Sequence, residues 1–207
     1  MPNTLDKVQP PALPQANNEY RRDGAEQTNN VLRLFFRRLT GVVNDLLSTE
    51  DGGKYLYMPR GSFYSTVDQP AALANTGYPV EFESTYIGNG VTVAGVDNTR
   101  ITVSYDGVYN FQVTLQTEHT NASTTTLYVW INKDGTDVSY GGKKFSVSGN
   151  NDAVVYWNFS IALLAGQYIE MYWATSDTAL QLHTEVPTAP HPGLPSAVAA
   201  VSFVSNL

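Results

Sequence analysis

Residues 106–116 read DGVYNFQVTLQ, and apolar and polar side chains alternate along them. Tyr109, Phe111, Val113 and Leu115 fall on one face; Asn110, Gln112, Thr114 and Gln116 fall on the other. A two-residue period predicts a strand with one face in a core. The same pattern recurs down the chain. Ser62–Asp68 and Pro79–Glu83 read as short strands, and IGNGVTV (87–93) turns at Asn89-Gly90. Arg100–Ser104 precedes the Asp106-Gly107 turn, and Val108–Glu118 follows it. In 124–135, Leu127, Val129 and Ile131 oppose Tyr128, Trp130 and Asn132 before an Asp134-Gly135 turn. KKFSVSG (143–149) is a short strand. In 152–166, Ala153, Val155, Trp157, Phe159, Ile161 and Leu163 form the apolar row. In 167–175, Ile169, Met171 and Trp173 oppose Tyr168, Glu170 and Tyr172. Residues 179–185 and 197–204 complete the set. Strands punctuated by turns at this spacing predict an all-β antiparallel sandwich or jelly roll.

One segment breaks the pattern. Within 18–48, Leu32, Phe35, Leu39, Val42 and Leu46 recur at alternating spacings of three and four, and Phe36, Val43 and Leu47 widen the stripe. That period predicts an amphipathic helix with a coiled-coil seam. Arg33, Arg37, Arg38 and Asp45 take the opposite side, and Gly41 weakens the middle. A helix of this length is marginal alone. Its stripe is therefore covered by its own domain, by copies of itself, or by another body to which it anchors. Gly52 and Gly53 end it, and 49–60 reads as a linker to a second domain at 61–207. Ahead of it, residues 1–17 are rich in Pro, Asn and Gln. Pro2, Pro10, Pro11 and Pro14 leave two readings: a disordered tail, or an extended peptide that orders on a partner.

Composition narrows these readings. With 42% hydrophobic residues in 207, the chain can fill a core. It has no cysteine, so disulfides, thiolate metal sites and thiol nucleophiles are excluded. Residues 61–207 hold four Lys/Arg against twelve Asp/Glu, a charge that repels phosphate backbones and argues against nucleic acid as a partner. The first residues lack the basic start and apolar core of a signal peptide, and no apolar run is long enough for membrane insertion.

Little catalytic chemistry is in view. No G-x-S-x-G, phosphate loop or H-E-x-x-H occurs. His119, His183 and His191 lack ligand spacing, so each reads first as a loop histidine rather than a metal ligand. Single aspartates at 97, 106, 134, 137, 152 and 177 suit turns. The expectation is no enzyme, no cofactor and no metal. Loops 118–124, 139–143, 177–179 and 186–195 are either contact surfaces for a glycan or a neighbouring subunit, or plain solvated connections.

What stands out is bulk on the second face. Tyr128, Trp130, Tyr156, Tyr168 and Tyr172 all oppose an aliphatic row. If they gather on neighbouring strands, they form an aromatic patch that identical subunits would bury. The alternative is that bulges scramble these faces.

GSFYSTVDQ (61–69), YPVEFESTYIGNGV (78–91) and RITVSYDGVYNFQVTLQ (100–116) resemble the C1q/TNF-like trimeric jelly roll, through Phe63, Asn89-Gly90, and Gly107, Tyr109 and Phe111. LYVWINKDG, LLAGQYIEMYWAT and SAVAAVSFVSNL resemble its later strands, Phe203 included. With the Pro-rich tail and the helix, the chain is similar to small virion proteins of tailed bacteriophages. The resemblance implies a C1q/TNF-like jelly-roll sandwich preceded by an N-terminal α-helix, in a homotrimer. It implies a fibre or capsid-decoration protein of the virion, assembled in the bacterial host cytoplasm. Pro10, Pro11 and Pro14 would engage other virion proteins (capsid, portal or tail). Leu32, Phe35, Leu39, Val42 and Leu46, with the five aromatics, would line subunit contacts. The alternatives are an adhesin reading host-surface glycan and a non-viral C1q-like recognition module.

Overall fold

The computed structural model describes residues 22–47 and 58–207. The expected anchor with Pro10, Pro11 and Pro14 lies outside the described residues, as does most of the linker. The chain divides into two units, residues 1–57 and 58–207, each taken by itself.

In the first unit, helix α1 runs over Arg22–Leu47. Leu32, Phe35, Leu39 and Val42 are half-buried, while Leu34, Phe36, Val43 and Leu46 are exposed. Arg22 Nε and Glu26 Oε1, one turn apart, pair at 3.0 Å at its start. No second element stands beside α1 among the described residues of this unit.

The second unit holds thirteen strands: β1 (Arg60–Ser65), β2 (Gln69–Pro70), β3 (Tyr78–Pro79), β4 (Ser84–Asn89), β5 (Val91–Ala94), β6 (Arg100–Val103), β7 (Gly107–His119), β8 (Thr125–Lys133), β9 (Thr136–Val147), β10 (Asn151–Leu163), β11 (Tyr168–Thr175), β12 (Leu180–Leu182) and β13 (Ala197–Ser205). They form two antiparallel sheets, an all-β sandwich. Sheet A runs β10-β7-β13-β1-β4, with β12 and then β2 continuing beside the far end of β7. Sheet B runs β5-β6-β11-β8-β9, with β3 beside β11 where β6 stops. Most connections cross between the layers. The exceptions include the β8–β9 hairpin, closed by Asp134 and Gly135 at positive φ, as a two-residue turn of matched twist requires.

The inner rows meet as the alternation predicts. Tyr109, Phe111, Val113 and Leu115 from sheet A face Leu127, Val129, Ile131, Ile169, Met171 and Trp173 from sheet B, all buried. Phe63, Phe82 and Phe203 fill the same layer. Each such side chain contributes about 1.5–3 kcal/mol by leaving water. The Tyr109 hydroxyl, deep in this layer, donates to the Tyr105 carbonyl at 2.8 Å, and burial pushes its pKa up to about 12.

Three expected boundaries shift. Strand β9 is twelve residues long and begins at Thr136, directly after the hairpin turn, rather than at 143. Residues 80–83 bury Val80 and Phe82 yet pair irregularly, through Val80 N–H to Met171 O and Phe82 N–H to Asn98 O. The expected strand at 179–185 is regular only over β12; beyond it, Glu185 and Leu194 form the base of a tight loop closed by a Thr188–His191 bridge.

Candidate functional site: the two outer faces and the histidine pole

The five outward aromatics do not form one patch. Tyr128, Trp130, Tyr168 and Tyr172 lie on β8 and β11 of sheet B. Tyr156 lies on β10, and β10 pairs with β7 in sheet A along all thirteen residues. It therefore sits on the opposite outer face, at 57% exposure. The misplacement has a simple cause: alternation shows which residues share a strand face, and the sheet a strand joins is decided by distant pairing.

On sheet B the four rings have partners in their own chain. Trp130 and Tyr172, adjacent in register, stack with centroids 5.6 Å apart and planes 27° from parallel. The Arg100 guanidinium lies 4.6 Å over the Tyr168 ring. Lys144 Nζ lies 5.8 Å over Tyr128, which is 40% exposed. Trp130 Nε1 donates to Asp137 Oδ1 at 2.9 Å, so the indole is held at both edge and face. Glu170, between Tyr168 and Tyr172, accepts from Thr99 Oγ1 at 2.8 Å and meets Arg100 Nε at 3.4 Å. The Tyr172 hydroxyl is shifted upward in pKa, first by burial, then by the carboxylates of Glu170 and Asp137.

Sheet A presents a different outer face. Its register rows are Tyr64–Val198–Thr114–Tyr156 and Ser62–Ala200–Gln112–Asn158, and beyond them Ser202–Asn110–Ser160. Tyr86, bulged out of β4, stacks on Tyr64 at 4.1 Å. Asn110 Nδ2 donates to Asn158 Oδ1 at 2.7 Å and to Ser160 Oγ at 3.2 Å. Between Arg60 at one end and the Glu118–Asp152 row at the other, no outward strand position carries a charge. A solvated sheet face usually does. Sequence reading passed over this face, because Asn, Gln, Ser and Thr alternating with aliphatics look like ordinary solvent positions. The signal was the missing Lys, Arg, Asp and Glu.

Beside β10 this layer is incompletely sealed. Phe159 and Ile161 on its inner row are half-buried, as are Val138 and Phe145 on β9. Phe159 stacks on Phe111 at 5.1 Å and lies 4.9 Å from the Trp157 ring.

The histidines gather at one pole, each beside a carboxylate. His119 is buried; its Nε2 lies 3.3 Å from Asp177 Oδ2 and its Nδ1 3.3 Å from the Ser148 carbonyl. Asp177 also accepts from the Ala179 backbone N–H at 3.0 Å and Asn121 Nδ2 at 2.8 Å, which with His119 hold its carboxyl below the usual range. His183 Nδ1 is 3.0 Å from Asp68 Oδ1, and His191 Nε2 is 3.7 Å from Glu185 Oε2. Among the described residues no three His, Cys, Asp or Glu are grouped to hold a metal. The pole is a set of loop clamps: Asp177 pins 177–180, and Asp68 receives the Thr184 N–H at 2.8 Å.

No protein-family model matches the chain, and no curated protein matches it in sequence.

Proposed function

We propose that the chain is a self-assembling structural protein, a homotrimer that serves as a fibre or capsid-decoration component of a tailed-phage particle. The observation that carries self-assembly is the uncharged outer face of sheet A. Depletion of charge at the core of a surface patch, with aromatic residues enriched, is the compositional signal of a contact surface. Tyr64, Tyr86 and Tyr156 flank it here, and Val198, Ala200 and Thr114 make its middle.

Two further features support the reading. Numbered along the chain, the eight principal strands β1, β6, β7, β8, β9, β10, β11 and β13 fall in the order 1-8-3-6 in one sheet and 2-7-4-5 in the other. That order supports the reading of a jelly roll, two Greek keys closed on one another, in line with the C1q/TNF-like resemblance. In α1, Leu32, Leu39 and Leu46 repeat at one seam position and Phe35 and Val42 at the other. A seam of leucines alternating with Phe35 and Val42 supports packing of α1 on copies of itself. A trimer satisfies both units, with the N-terminal segment holding it to the particle.

The experiment has two arms. Light scattering on the purified chain reads the oligomer, expected at three times the 22.7 kDa chain mass. Deleting residues 1–17 tests attachment: the trimer should persist in solution and vanish from purified particles. Retention of the truncated protein on particles would overturn the anchoring role.

A further inference from the structure

Two residues on the outer side of sheet B are buried where a strand usually meets water. Asn132 on β8 and Glu170 on β11 are register partners, 7% and 6% exposed. They form a polar floor. On one side stand Trp130 and Tyr172, near-parallel; on the other stands Tyr168, two residues from Glu170 on the same face of β11. Asp137 closes the end toward β9. Its Oδ1 takes the Trp130 indole N–H at 2.9 Å and the Asn132 Nδ2 at 3.2 Å.

This last contact fixes the amide. A flipped Asn132 would set its oxygen against the Asp137 carboxylate. In the orientation present, Asn132 Oδ1 is buried and receives no donor. A buried acceptor without a donor is uncommon in a folded protein and calls for an explanation. This one lies among aromatic rings on a solvent-side face, with a second acceptor, Glu170, beside it.

We propose that this trough is a binding site for a neutral saccharide. A pyranose carries the two complements the trough calls for: a hydroxyl donor for Asn132 Oδ1, beside the Glu170 carboxylate already held by Thr99 and Arg100, and a flat C–H face for an aromatic ring. Competing chemistries fit less well. An anionic ligand meets Asp137 and Glu170. An alkylammonium needs rings on several sides of it, whereas Trp130 and Tyr172 are close to parallel and Arg100 already covers Tyr168. A purely apolar ligand leaves the floor unpaired. To reach Asn132 Oδ1 the saccharide turns the ring of Tyr168 or Tyr172, both half-exposed. The proposal stands apart from self-assembly, because the trough and the uncharged face belong to opposite sheets.

The test uses the full chain. Neutral oligosaccharides (a glucose hexamer, an N-acetylglucosamine tetramer) are titrated while tryptophan fluorescence is followed. An array of neutral and sialylated glycans is probed in parallel. Saturable binding of a neutral glycan is expected, weakened at least tenfold by Asn132→Ala and by Tyr172→Ala and unchanged by Val204→Ala at the exposed end of β13. Thermal melting and oligomer mass check that the variants fold; if Tyr172→Ala melts early, Tyr168→Ala should give the same tenfold loss. Absence of neutral-glycan binding at millimolar concentration overturns the proposal. So does binding equally strong in the Asn132 and tyrosine variants, or confined to sialylated glycans.

Discussion

Ala200 lies on β13, the middle strand of sheet A, facing out, and its neighbours in register are Ser62 and Gln112. Replacing it with glutamate puts a carboxylate among the uncharged positions of this face, with Arg60, one register row along on β1, the nearest cationic strand position. In a lone chain the new side chain reaches water, and an outward substitution of this kind changes stability by about 0.5 kcal/mol or less. In an assembly that covers the face, the carboxylate must be buried unpaired or protonated. Protonation sets the upper bound. From an ordinary glutamate value near 4.3 to pH 7.5 is about 3.2 units, or roughly 4.4 kcal/mol per copy. That is about a thousandfold per site, enough to disperse a micromolar assembly once several copies contribute. The sign with pH is fixed by the same arithmetic: the penalty shrinks as pH falls and vanishes near the glutamate value. Light scattering at micromolar protein should therefore show Ala200→Glu dispersed at pH 7.5 and reassociating toward pH 5, with Ala200→Gln assembled throughout. If Ala200→Glu keeps the wild-type mass at pH 7.5, the outer face of sheet A is not the contact.

Other positions test the fold and its pole. A Cβ on Gly149 would sit 2.1 Å from the Ala122 carbonyl oxygen, a backbone atom that cannot swing away; Gly149→Ala should cost about 2 kcal/mol or more, read as a lowered urea midpoint at unchanged slope. The Asp177 carboxyl is held below its ordinary value by the Ala179 N–H, Asn121 and His119. Its contribution is therefore present above the unfolded-state value and lost as pH falls through the folded one. Amide protection at 177–180, taken relative to the intrinsic exchange rate at each pH, should fall below about pH 4, and Asp177→Asn should remove that acid dependence. Tyr109, pushed up to about 12, has the opposite sign: its contribution is complete below the unfolded value near 10 and declines above it. An ultraviolet titration should find one tyrosine that ionises only near pH 12 or on unfolding, and Tyr109→Phe should abolish that step.

Alternation made the core legible. The inward rows of β7, β8 and β11 are the rows read from the sequence, because a two-residue period with aliphatics on one side has a single low-energy orientation in a sandwich. The start of β9 was not legible. TDVSYGG contains two glycines and no alternation, and Tyr140 sits at positive φ within it; the strand exists there because the Asp134-Gly135 turn returns the chain along β8. Residues 80–83 erred the other way: Val80 and Phe82 alternate like a strand and are buried like one, but their backbone bonds go to two separate partners. The separation of Tyr156 from the other rings was out of reach, since it depends on β10 joining β7 across a distance of about forty residues. The floor of Asn132 and Glu170 was equally hidden, because two polar residues on outward positions look solvated until the flanking rings are placed.

Sedimentation equilibrium of the full chain at micromolar concentration bears most directly on whether this molecule completes itself with copies of its own chain. Three chain masses in a single species is the expected result; one chain mass, stable and monodisperse over that range, would contradict it.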